Sequence, residues 1–170
     1  MKTLFRLLKI SSVFIGAALP VMASATPAPE KAFTLDLDTS LKFIDAARAL
    51  ATSRGAHVAI AIVDQGGRLV AFEKMDGTQL GSVELAMKKA ESAVNFARPT
   101  ADMEHALDKG NFMIATLPNA LPAGGGYPIM VDHRLVGALG LSGGEGETDA
   151  HLAQDSVSAS LTKIGAKTSE

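Results

Sequence analysis

Four histidines, a lysine set among alanines and two glycine runs are the parts of this chain best equipped to hold a ligand or do chemistry. Imidazole can ligate a metal or haem iron and can carry a proton near neutral pH. His57 opens an apolar run, HVAIAIV, and His133 follows Asp132 at an expected hairpin tip, where adjacent side chains diverge. His151 has Glu147 and Asp155 four residues to either side, a spacing that permits a carboxylate–imidazole contact on one helix face. His105 reads as a surface residue of a short polar helix. Lys89, flanked by Ala86, Ala90 and Ala93, has two readings: its stem packs on a sheet while its head meets a ligand carboxylate, or the head reaches solvent. Asp76 either orients such a site or starts a turn. Gly124-Gly125-Gly126 either lets backbone amides approach an anionic or planar ligand closely or acts as a plain connector.

Several reactive motifs fail on their context. Gly140-Leu141-Ser142-Gly143-Gly144 satisfies G-x-S-x-G, but Asp149 and His151 follow too closely for the separated acid and base of a nucleophile elbow. The Gly124–Gly126 run lacks a following Lys-Ser/Thr and is no phosphate-binding loop. No paired-histidine zinc motif occurs, so no metal is assigned. Glu145, Glu147 and Asp149 form an acidic edge that suits a helix N-terminus. No nucleophile–base pair has convincing spacing, and no catalytic residue is assigned.

The elements that must position these groups follow from periodicity. Asp38, Thr39 or Ser40 can cap a first helix with Leu41, Ile44, Ala47 and Ala51 on one face and Gly55 as its stop. His57–Val63 and Arg68–Phe72 form a hairpin about the Asp64–Gly67 turn, antiparallel because the connection is too short for a crossover. A helix from Ser82 to Ala97 buries Val83, Ala86, Met87, Ala90 and Val94, and ends at Pro99. Thr100 caps a short helix to Leu107, and Gly110–Thr116 reads as a further strand. Tyr127–Val131 and Arg134–Leu141 form a second hairpin. The last helix begins near Asp149 and buries Ala153, Val157, Leu161 and Ile164. The order predicts an antiparallel α+β domain with helices on the sheet faces.

Residues 1–25 carry Lys2, Arg6 and Lys9, then an apolar run and Ala23-Ser24-Ala25, the pattern of a cleaved signal peptide. We therefore expect export to the periplasm, a linker over 26–38, a domain over 39–166 and a short tail over 167–170. The leader holds three of the 16 basic residues and none of the 18 acidic ones, leaving a net charge of −5 after cleavage. That disfavours nucleic acid as a partner and gives no polybasic patch for a membrane surface. With no cysteine there is no disulfide framework, thiolate metal site or covalent haem attachment.

IVDQGGRLVAFEKMDG, Ile62–Gly77, resembles the V-V-D-x-G-G-x-L-V-A-x-x-R-M-D-G block of the GlcG/HbpS family of haem-binding proteins. Ser82, Ala86, Lys89, Ala90 and Ala93 resemble the family's following helix. GGGYPIMVDHRLVGALGLSGGEGETD, Gly124–Asp149, resembles its G-G-x-P-I…G-x-I-G-A-I-G-V-S-G…D block. Lys74 stands where the family has arginine, which keeps the charge and loses the bidentate fork. The terminal Asp-Glu is replaced by Asp149-Ala150. The resemblance implies about five antiparallel strands flanked by helices, with profilin- or roadblock-like layering, and assembly into homo-oligomers. It implies non-covalent binding of haem b for storage, sensing or degradation, with an envelope protein as a further partner. The propionates would meet Lys89 and the amides of Gly124–Gly126, near Asp76, and His57, His133 or His151 would approach the iron. The rival reading is a small-molecule enzyme or accessory protein acting on hydroxy acids or similar anions through the same loop with Lys89, Asp64 or Asp149.

Overall fold

The computed structural model describes residues 33–166. The leader expected over 1–25, most of the linker and the tail over 167–170 lie outside the described residues. α1 (Leu37–Ser53) leads into β1 (Ala59–Asp64) and β2 (Leu69–Lys74), followed by α2 (Ser82–Phe96) and α3 (Thr100–Asp108). A 3₁₀ turn (Phe112–Thr116), β3 (Gly126–Val131), β4 (Arg134–Ser142) and α4 (Gly146–Lys163) complete the order. The sheet runs β2-β1-β4-β3, every neighbour antiparallel.

Four strands form among the described residues, one fewer than expected. The missing strand is Gly110–Thr116, where Phe112 and Met113 are 73% and 70% exposed and only Ile114 is buried. A segment that buries one side chain in seven has no face to lay on a sheet, and it closes into a 3₁₀ turn instead. The α1 cap also lies earlier than expected: Asp36 accepts from the Thr39 amide at 2.9 Å, while Ser40 is buried within the helix. Phe33 and Leu35 already pack on the core, so the domain reaches N-terminal to residue 39.

The two sheet faces are packed differently. α1 and α4 cover one face with large side chains, Phe43, Ile44, Leu152 and Leu161 meeting Ile60, Ile62, Leu139 and Leu141. α2 covers the other through small ones, Ala86, Ala90 and Ala93 against Ala59, Ala61 and Ala138. Small residues let the helix axis approach the sheet: a Cβ at Gly140 would lie 1.9 Å from the Ala86 carbonyl oxygen. The close approach brings the middle of α2, with Lys89, down onto the start of β3 and the end of β4.

Candidate functional site

At the end of the sheet where β4 finishes and β3 begins, the glycine run is fastened by two side chains of α3. The Thr100 hydroxyl, at the start of α3, donates to the Ala123 carbonyl at 2.7 Å and accepts from the Gly126 amide at 2.9 Å. Glu104, one turn on, accepts from the Gly124 amide at 2.8 Å. The same carboxylate lies against the first residue of α4, where a Cβ on Gly146 would be 2.6 Å from Glu104 Oε1. Glycine at that position admits an anion to the positive end of the helix. Thr100 therefore serves the loop and not, as expected, the cap of its own helix, whose N-cap is Pro99.

Lys89 lies behind this loop and is 4% exposed. Its Nζ donates to Asp149 Oδ2 at 2.9 Å and to the Leu141 carbonyl at 3.2 Å. Asp149 also accepts from the Gly143 amide at 3.3 Å and the Gly144 amide at 2.9 Å. Neither reading of Lys89 as a solvent lysine or as an open ligand contact describes this geometry. The ammonium is committed to a buried ion pair that ties α2 to α4 and to the end of β4. Asp149, expected at the start of the last helix, lies one turn inside it because α4 begins at Gly146.

The three glycines are packing glycines. Added Cβ atoms at Gly124, Gly125 and Gly126 would lie 2.3, 2.3 and 2.2 Å from the carbonyl oxygens of Gly146, Leu141 and Lys89. With the Gly124 and Gly126 amides already donated within the chain, the run is closed against its own fold. Lys89 and these two amides therefore do not form the open propionate cradle that the resemblance implied.

A cleft of about 280 Å³ opens beside the loop, between α3 and α4 and over the start of β3. α3 contributes Asp102, Glu104 and His105; α4 contributes Glu147, His151 and Gln154. Tyr127 and Gly126 form its floor, and Pro99, Ala101 and Ala150 supply apolar surface. His151 Nε2 is 3.9 Å from Glu147 Oε1, with both side chains well exposed. Among the described residues no lysine or arginine lines the cleft. Two imidazoles and a phenol on one concave surface can ligate a metal centre carried by a planar ligand.

The expected site residues divide among three places. Gly126 and His151 line this cleft, and Gly124, Gly125 and Lys89 adjoin its wall. His57 and Asp76 meet elsewhere: His57 Nδ1 lies 2.7 Å from the Asp76 carbonyl oxygen and its ring packs on Gly77. A carbonyl only accepts, so Nδ1 is the donor in this contact. His133 is exposed in a left-handed turn, φ 59°, at the β3–β4 tip. That tip lies beyond Val131, roughly 13 Å along β3 from Tyr127 at 3.3 Å per residue, so His133 is remote from the cleft.

A family model described as Haem degrading protein HbpS-like matches residues 35–158. The chain belongs to this HbpS-like family. GlcG of Escherichia coli (strain K12) is 33% identical over 85 residues, covering 50% of this chain and 63% of GlcG. The chain thus spans less than two thirds of that relative. A PduOC:haem complex superposes with a TM-score of 0.69 at 29% identity, covering 81% of this chain and 100% of the other. A double mutant of Streptomyces reticuli HbpS gives 0.68 at 28% identity, covering 85% and 98%. As an HbpS-like protein, the chain keeps the family's antiparallel α+β layering with four strands among its described residues.

Sequence reasoning missed His105, which joins His151 only because α3 folds back beside α4. The available signal was local: Thr100 and Glu104 recur at helical spacing beside His105, and both fasten the glycine run. Asp64, offered to the rival anion chemistry, is a turn residue whose Oδ1 accepts from the Gly66 and Arg68 amides at 2.8 and 2.9 Å. Ser142 of the G-x-S-x-G match is a buried strand end paired with Ala59, not a nucleophile elbow.

Proposed function

We propose that this HbpS-like protein binds haem non-covalently in the α3–α4 cleft, with His105 and His151 as the iron-facing residues and Tyr127 beneath the ring. The observation that carries this reading is the convergence of two histidines and one tyrosine on a single cleft. The haem-bound PduOC structure and the haem-degrading description of the family support the ligand class. Bound haem would supply an iron centre for redox or oxygen chemistry; the chain itself supplies ligands, apolar walls and orientation. The acidic lining disfavours the rival reading of a hydroxy-acid or small-anion site.

Within the same proposal, the protein acts in the periplasm after removal of residues 1–25, as a homo-oligomer engaged in haem storage, sensing or degradation with an envelope partner. The charged, apolar and small-x-small pattern of the leader supports the export step. Titrating purified protein with haemin should give a saturable Soret shift. His105→Ala and His151→Ala together should abolish or displace that band, and His133→Ala should leave it unchanged. No saturable shift, or one indifferent to the double substitution, sinks the assignment.

A further inference from the structure

We infer that the cleft takes its tetrapyrrole with both propionates directed out to solvent, so that recognition is made through the iron and the apolar ring and not through the carboxylates. This rests on the haem reading above and names the orientation and the preferred ligand form. Two independent observations carry it. The first is the charge of the lining: Asp102, Glu104 and Glu147 line the cleft, with no lysine or arginine among the described residues that line it. Glu104 is partly answered by the Gly124 amide and the start of α4, but among the described residues no amide or hydroxyl is bonded to the carboxylates of Asp102 or Glu147. A propionate turned inward would meet like charge from these carboxylates, a repulsion that salt screens.

The second observation is that the Lys89 ammonium and the Gly124 and Gly126 amides, all close to the cleft, are engaged within the fold. Lys89 is buried on Asp149 and Leu141, and the Gly124 and Gly126 amides are held by Glu104 and Thr100. Recruiting any of them would leave a buried group without its partner. What the cleft offers instead is imidazole, phenol and apolar surface from Pro99, Ala101 and Ala150, all suited to a metal and a ring. Carboxylates on the rim then act as a filter, setting which edge of the ligand enters first.

The experiment compares haemin with its dimethyl ester, which has the same ring and iron but no propionate charge, each titrated into the full-length protein from the same cosolvent. The ester should bind as tightly as haemin or more tightly. Raising the salt concentration should strengthen haemin binding and leave the ester nearly unmoved. Asp102→Asn with Glu147→Gln should narrow the ratio of the two dissociation constants, a ratio insensitive to the fraction of protein that folds. Weakening by about tenfold or more on esterification, the worth of one charge-assisted hydrogen bond, overturns the inference while leaving haem binding intact. Absence of saturation with either compound overturns the haem reading itself and this inference with it.

Discussion

Asp149 and Glu147 lie within one turn of α4, each opposite a basic side chain, yet their surroundings differ in every respect that matters. Asp149 meets Lys89 at 2.9 Å with both side chains at most 5% exposed, and two glycine amides fill its remaining acceptor positions. Glu147 stands 3.9 Å from His151 with side-chain exposures of 84% and 68%. The buried pair is committed to the fold, through two bonds from the ammonium and three to the carboxylate, and is shut away from solvent. The open pair contributes little to the fold and leaves its polar atoms accessible at the cleft. Where a charged group is saturated by its own chain it is structure; where it is left unsaturated beside a cleft it is available for binding.

The largest effect should come from breaking the buried pair. Lys89→Met leaves Asp149 as an uncompensated buried charge and should cost about 3–5 kcal/mol in denaturant unfolding. Adding Asp149→Leu should recover part of that, because an apolar pair of similar volume tolerates burial, although the Gly143 and Gly144 amides lose their acceptor. A single-mutant loss below about 1 kcal/mol would put the pair on the same footing as surface ion pairs and erase the contrast.

An intermediate effect is expected at Glu104, which is half-buried on the Gly124 amide and the start of α4. Glu104→Ala should lose about 1–3 kcal/mol, the value of a buried donor left unpaired, and should loosen the cleft wall. Amide hydrogen exchange at Gly124 should accelerate in the variant; unchanged protection there would mean that another group holds the loop.

The smallest effect is expected at the open pair. Glu147→Gln should change stability by less than about 0.5 kcal/mol, as for an exposed contact. A loss comparable to that of Glu104→Ala would show that the pair supports α4 and would remove it from the ligand side of the comparison.

Much of the fold was legible because it is written in local pattern. The Asp64–Gly67 turn, the alternation of hairpin and helix, and the apolar stripes of α1, α2 and α4 each depend on residues a few positions apart, although Leu41, expected on the α1 stripe, is 46% exposed and Phe43 is buried in its place. Gly110–Thr116 misled because a short apolar run has no decisive period, and only the burial of one residue in it distinguishes a 3₁₀ turn from a strand. The site was less legible. Lys89 and Asp149 were both conspicuous, but the sequence does not state that they bind each other across 60 positions.

By itself the sequence determined the family, through the Ile62–Gly77 and Gly124–Asp149 blocks. It also determined that no cysteine chemistry is possible. Tertiary structure alone decided which charged groups are spent and which are free. It placed Lys89 behind the loop and not in the cleft, set His133 apart, and brought His105 beside His151. The physical reason is range: helix and turn formation are settled by neighbours along the chain, while burial and the saturation of a charge depend on which distant segments pack against it.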